Sequence, residues 1–343
     1  MGRRDGVSRR GFLLGSVALA GGAVLSGAVD PGLAWATDEQ PIIDCDGWGA
    51  RPNSRIVAIH PRRPVKILVH HTATPNVTDV GRDAAEGLAR YIQDFHMDRR
   101  GWLDSGQHFT ISRGGFVLEG RRRSLELLRA GRSQVVGSHC TGENLVAVGI
   151  ENEGIYLDQD PPTALWDRLR EMCAYICGQY GIEPTQIYGH RDFKDTACPG
   201  DRLYGLLPQL REDVASVLGE ALEVPPADQA SWPLLRTGDD GSVVLAAQYL
   251  LRDAGMTEVS ADGRFGLSMD GAVRALQAGR GFEEVNGMIG GESWPVLART
   301  VMPGDDGEAR RAVEVLLGHR GAEGVPDVIT APVWQQMLTT AAG

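Results

Sequence analysis

Residues 189–201 read GHRDFKDTACPGD, which sets an imidazole, His190, eight positions before a thiol, Cys198. Polar and charged residues fill the interval, and the Cys-Pro-Gly turn that closes it cannot continue a helix. A thiolate and an imidazole suit zinc, which takes four tetrahedral ligands and, in catalytic sites, keeps one position for water. This loop supplies two ligands, so a third is wanted. On these two residues alone, a surface loop with an incidental histidine and a buried cysteine competes with a metal loop.

The third candidate lies far upstream. Residues 65–69 form a short, β-branched run that reads as a buried strand and ends in His70-His71-Thr72. Strand tips are rigid and open onto loops, which is where a ligand is useful. Successive side chains on a strand point to opposite faces, so only one of the two histidines can aim at a given centre. His70 is taken as that ligand, with His71 packing behind it.

Several elements must hold these residues in place. Ala85, Leu88, Ala89, Ile92 and Phe95 recur at helical spacing across residues 81–98, with Asp79 as a candidate N-cap. Residues 107–112 and 116–119 read as a hairpin turning at Arg113-Gly114-Gly115. An apolar strand over residues 145–150 delivers Glu151-Asn152-Glu153 at its end. Leu165, Leu169, Met172, Ile176 and Tyr180 then continue a helix toward a strand at residues 186–188. Strands interleaved with helices argue an α/β or α+β sandwich with working residues at strand ends.

The first 36 residues are of a different kind. Arg3, Arg4, Arg9 and Arg10 precede a Gly/Ala-rich apolar run, and Ala34-Trp35-Ala36 offers a small-x-small cleavage site. A twin-arginine export signal removed after Ala36 is expected, giving a secreted or wall-located protein; the run is short and glycine-diluted for a membrane span. Its loss would remove four arginines and two aspartates, making the mature chain more acidic than the full-length net charge of −11. Such a chain lacks the basic footprint that nucleic acid binding needs. No membrane contact after signal removal and a monomeric chain are expected. Of the five cysteines, a metal-bound Cys198 leaves Cys45, Cys140, Cys173 and Cys177. An oxidising exterior permits disulfides among them, and Cys173 and Cys177 share a helix face that could present one thiol to Cys45.

Five motifs in chain order carry a resemblance: Trp48-Gly49-Ala50-Arg51, residues 69–74 (VHHTAT), Phe95-His96-Met97 with Gly101-Trp102-Leu103-Asp104, Gly149-Ile150-Glu151, and Gly189-His190-Arg191-Asp192 with Cys198-Pro199-Gly200. Together they resemble the type-2 N-acetylmuramoyl-L-alanine amidase family, which includes peptidoglycan recognition proteins and amidase-type phage lysozymes. The resemblance implies a central mixed sheet flanked by helices and one zinc ion held by His70, His190 and Cys198. It further implies cleavage of the amide joining N-acetylmuramic acid to L-alanine in peptidoglycan. In that family an intact cysteine accompanies hydrolysis, and its loss accompanies mere binding.

An amide is a poor electrophile and water a poor nucleophile, and zinc answers both by lowering the pKa of bound water to about 7 and polarising the carbonyl. Glu151 is the expected base: it ends a buried strand and occupies the position of the catalytic glutamate in the carboxylate-ligand branch of the family. A supporting partner to a zinc histidine is the competing role for Glu151. Glu153 shares its face by alternation and stands as the fallback. Two positions depart from the family pattern. Gln107 stands where a catalytic tyrosine is common and cannot serve as a base. Thr196 stands where an oxyanion-stabilising lysine is common; it is assigned that role as a neutral donor, with Lys194 as a substitute. His139 is a further groove candidate, set against an ordinary structural role. The Arg121-Arg122-Arg123 run could meet stem carboxylates, though a solvated face is the default reading.

Beyond residue 219 the composition changes. Residues 220–231 are Pro-rich and read as a linker. Gly238-Asp239-Asp240-Gly241 and Gly304-Asp305-Asp306-Gly307 each lead into a helical pattern, ending in Leu250-Leu251 and Leu316-Leu317, and each copy closes near a tryptophan, Trp294 or Trp334. The first copy, residues 232–298, resembles the small all-α peptidoglycan-binding module of cell-wall hydrolases, on Ala261-Asp262-Gly263-Arg264-Phe265-Gly266 and the Gly-rich turn of residues 286–290. The second, residues 299–343, lacks the Asp-Gly-x-Phe-Gly turn and reads as a degenerate copy. The domains expected are therefore a signal (1–36), a zinc amidase domain (37–219), the linker and the two modules. The main alternative to an enzyme is a peptidoglycan-binding receptor disabled by its departures at Gln107 and Thr196.

Overall fold

The computed structural model describes residues 41–222, 231–318 and 327–342. The expected export signal and most of the expected linker lie outside the described residues. Seven short strands occur among the described residues: β1 (Ile59–His60), β2 (Lys66–His71), β3 (Phe109–Ile111), β4 (Val117–Glu119), β5 (Gln134–Val135), β6 (Ala147–Asn152) and β7 (Ile187–Gly189). Five of them make the main sheet in the order β4-β3-β6-β2-β7. Only β3 and β4 run antiparallel, across the hairpin, so the sheet is mixed as expected. β1 and β5 form a separate antiparallel pair.

The alternation along β2 and β6 divides the sheet into two faces. Ile67 and Val69 with Val148 and Ile150 point into the main core, where they meet Leu165, Leu169, Met172 and Ile176 of the helix Thr163–Tyr180 and Leu207, Leu210 and Val214 of the helix Leu207–Leu218. The other face carries Leu68, packed with Cys140 and Ala147, and then the polar pair His70 and Glu151. The core side thus supplies rigidity, and the opposite side is left for chemistry. Against the far end, the helix Arg82–Asp94 packs Ala85 and Ala89 on Trp48, Cys45 and Leu118.

The element ends differ from expectation in instructive ways. The helix expected over residues 81–98 stops at Asp94, and a wider π turn, Phe95–Arg99, carries the chain onward. Asp79 does not cap the helix; its Oδ1 accepts the N–H of Gly81, which occupies the N-cap. Strand β6 runs two residues further than apolarity alone suggests, because its central position pairs it with β2 and β3 on both sides through Asn152. All five cysteines are free thiols. Cys45 sits in the cluster around Trp48 and Cys173 and Cys177 in the main core, so the Cys45 pairing entertained from sequence is not formed.

From residue 231 onward the described elements are helices: Ser242–Asp253, Leu267–Arg280, Trp294–Leu297, Glu308–Leu317 and Ala331–Ala342. One hydrophobic cluster, from Leu235 to Leu338, joins them. The helices Ser242–Asp253 and Glu308–Leu317, which follow the two Gly-Asp-Asp-Gly turns, lie against each other within it. The two repeat tryptophans play matching parts: Trp294 and Trp334 are fully buried and donate their indole N–H to the carbonyls of Pro233 (2.6 Å) and Arg299 (2.8 Å).

Candidate metal centre and cleft

His70 projects from the site face of β2 and is buried. His190 opens the short 3-10 turn His190–Asp192 directly after β7, and its ring centroid is 4.5 Å from that of His70. Cys198 closes the same loop, with its Sγ 3.7 Å from His70 Nδ1. Ligand atoms of His70, His190 and Cys198 all lie within 4.8 Å of one another. Residues 128 apart in sequence therefore meet because β7 pairs with β2 and hands the chain into the loop beside it.

The loop is braced from several sides. Arg191 donates from Nη1 to Asp201 (2.8 Å) and from Nη2 to the carbonyl of Ala197 (2.6 Å). Asp192 accepts from the N–H of Gly189 and the hydroxyl of Tyr204. Gly200, at φ +96°, presses against the Tyr156 backbone, where a Cβ would come within 2.3 Å of the carbonyl oxygen.

Two imidazoles and a thiol are a fitting donor set for zinc, and the local hydrogen bonding leaves the right atoms free. His70 Nε2 is 3.1 Å from His139 Nδ1. With that nitrogen carrying the proton, Nδ1 keeps its lone pair toward Cys198, the arrangement in which a ligand's second nitrogen is held by a partner. Burial, then the neighbouring imidazoles, holds His70 well below the usual histidine range. Burial, with Lys194 and His71 adding, brings His190 down to about 4. Both are neutral at pH 7, the form that ligates a cation. Burial first, and Glu151 second, pushes the Cys198 thiol up, while the His71 N–H donates to its sulfur (3.3 Å). A bound cation reverses that balance.

A cleft of about 390 Å³ opens over these atoms, and the fate of each further candidate can be read from it. Glu151 is the strand neighbour of His70 in register and lines the cleft on the same face. Its Oε2 is buried with no hydrogen-bond partner among the described residues, and desolvation raises it to about 8. Thr196 also lines the cleft, and its hydroxyl oxygen accepts the Cys198 N–H (3.2 Å), leaving the hydroxyl hydrogen to donate elsewhere. Gln107 borders the cleft; its amide donates to Thr110 (2.9 Å), and its Oε1 is buried without a partner among the described residues.

Other readings are corrected. Glu153 is no fallback base: it is buried away from the cleft, accepting the Arg113 N–H at 2.7 Å. Lys194 lines the cleft and pairs there with Glu292, 2.7 Å away. His139 borders the cleft but spends one nitrogen on His70. The arginine run is split. Arg122 and Arg123 make ion pairs with Asp46 and Glu126, whereas Arg121 is buried and ties Ser105, Val136 and Ser138 together with bonds of 2.6–2.7 Å.

Sequence reading missed one side of the cleft altogether. Glu283, Glu284, Met288 and Glu292, all beyond the linker, line it. No local signal marks them, since their role depends on how two distant parts of the chain meet.

With the geometry in hand, comparison with known proteins is informative. Residues 60–201 match the family described as N-acetylmuramoyl-L-alanine amidase. Peptidoglycan-recognition protein LB of Drosophila melanogaster is 31% identical over 158 residues, covering 46% of this chain and 63% of that protein. The human N-acetylmuramoyl-L-alanine amidase is 33% identical over 170 residues, covering 47% of this chain and 26% of that protein. The chain thus spans less than two thirds of either relative. A solved structure of a Drosophila PGRP-LB mutant in complex with tracheal cytotoxin is 30% identical, with a TM-score of 0.42 over 48% of this chain and 90% of that one. Through residues 60–201, the chain is thus similar to the family described as N-acetylmuramoyl-L-alanine amidase.

Proposed function

We propose that this is an exported, zinc-dependent peptidoglycan hydrolase that cleaves the amide between N-acetylmuramic acid and the L-alanine of the stem peptide. The observation that carries the reading is the convergence of His70, His190 and Cys198 in one cleft beside Glu151, whose buried Oε2 has no hydrogen-bond partner among the described residues. Zinc, when held by these three residues, supplies a Lewis acid and an acidified water. Glu151 takes the proton of the attacking water and returns it to the leaving nitrogen of L-alanine. Thr196 donates its hydroxyl to the developing oxyanion from the lip of the same loop. His139 keeps His70 in the tautomer that ligates. Residues 232–343 serve as an all-α wall-binding unit, in keeping with the paired tryptophan-closed repeats.

One observation favours a binding receptor instead: Gln107, with its amide tied to Thr110, cannot act as a base where related sequences have tyrosine. Incubating purified wall with the mature protein separates the two. Release of free L-alanine amino groups that stops on chelation supports the hydrolase. Wall binding that survives His70→Ala, with no release by the parent protein, supports the receptor, and glycan reducing ends would point to a glycosidase.

A further inference from the structure

We infer that Asp195 is a positioning residue through which the C-terminal helices hold the loop bearing His190, Thr196 and Cys198, so that residues beyond the linker form part of the active site. The inference rests on the metal-centre reading above. Asp195 lies three residues before Cys198 and is buried, yet its carboxylate points away from the metal ligands and into the C-terminal part. There Oδ1 accepts the backbone N–H groups of Gly290 (2.7 Å), Glu292 (3.1 Å) and Ser293 (2.9 Å). Oδ2 accepts the Ser293 hydroxyl (2.5 Å) and the Gln277 amide (3.1 Å). The Asn286 amide donates to the Asp195 carbonyl. A charge withdrawn from water needs such a set of donors, and donors fixed in a turn also fix the charge they surround.

Backbone packing carries the same message independently. Gly291 lies so close to the loop that a Cβ there would fall 2.4 Å from the carbonyl oxygen of Asp192 and 2.7 Å from the nitrogen of Phe193. The Lys194–Glu292 pair flanks this contact. On the opposite rim of the cleft, Thr141 donates to Glu283 of the same C-terminal part. The helices beyond the linker therefore grip the ligand loop and reach across the cleft to its other wall, a geometry unlike that of a freely tethered wall anchor.

The test uses the full chain carrying Asp195→Asn, Gly291→Ala, or the pair Asn286→Ala and Ser293→Ala, none of which alters a ligand. The asparagine keeps the shape and one acceptor for the backbone N–H groups but sets an amide N–H against the Gln277 amide donor. Zinc affinity, measured by competition with a chromophoric chelator, should fall about 10- to 100-fold in each, the range expected when support of a metal ligand is lost. The absorption bands of the cobalt-substituted protein should shift, and kcat on wall should fall more than KM rises. Circular dichroism checks folding. Should Asp195→Asn fail to fold, the pair on the C-terminal side decides. Wild-type zinc affinity and wild-type cobalt bands in the folded variants would overturn the inference. A parent chain that binds no zinc would overturn the metal reading and the inference with it, and the titration shows this before any variant is compared.

Discussion

Glu151 has a buried oxygen with no hydrogen-bond partner among the described residues, in register beside a candidate metal ligand, and the proposed proton-transfer role accounts for that cost. Replacing it with glutamine preserves shape and polarity while abolishing proton transfer. Glu151→Gln should keep zinc stoichiometry by elemental analysis and lose roughly 10²- to 10⁴-fold in kcat; retained activity would move the base elsewhere. At this scale the sequence was largely legible. His190 and Cys198 stood out by type and spacing, and strand alternation allowed only one of His70 and His71 to aim at the centre; the His71 ring nitrogen faces the Tyr156 N–H. Alternation failed for Glu153 because the strand ends at Asn152, so period two no longer governs where the next side chain points.

Between residues and molecule stand the strands and helices, and here the sheet acts as a partition. Its core face is packed by the helix Thr163–Tyr180, and its other face presents His70 and Glu151. Damage to the core side should therefore appear as lost stability and leave the ligand set in place. Leu169→Ala, at a fully buried position of that helix, should cost about 2–5 kcal/mol and lower the melting temperature, with zinc still bound at the same stoichiometry below the transition. An unchanged melting temperature would contradict the packing described. Periodicity revealed every strand of the main sheet and the helices Arg82–Asp94 and Thr163–Tyr180, because each buries one apolar face, but not the helix Leu207–Leu218. It missed the ends, notably the extension of β6, since those are set by hydrogen-bonding neighbours rather than by apolarity. Arg121 was misjudged for a related reason: a charge run looks solvated until the carbonyls that surround one of its members are known.

At the level of the whole molecule, Asp201 links the two parts, accepting from Arg191 of the ligand loop (2.8 Å) and Arg236 beyond the linker (2.6 Å). Burial alone would raise its pKa, but the two arginines outweigh that and hold it below the ordinary aspartate value of 3.8. A carboxylate depressed in this way contributes stability that is complete above the unfolded value and disappears as pH falls through the lower folded one. The difference in melting temperature between the parent and Asp201→Asn should thus persist at neutral pH and shrink as pH falls below the ordinary aspartate value of 3.8. A difference that is constant with pH would rule out this ion pair as its source. Sequence could propose two units and a linker but not their contact, because nothing local in Asp195 or Gly291 reveals a partner some ninety residues away.

The account turns on three side chains holding one cation that drives amide cleavage. Mass spectrometry of wall fragments released by the metal-stripped protein, as zinc is added back, tests this most directly. Peptides bearing a free L-alanine amino terminus should be absent at first, appear as zinc approaches one equivalent, and stay absent in Cys198→Ala at that level. Release of the same peptides by the stripped protein, or no release at any zinc level, would contradict it.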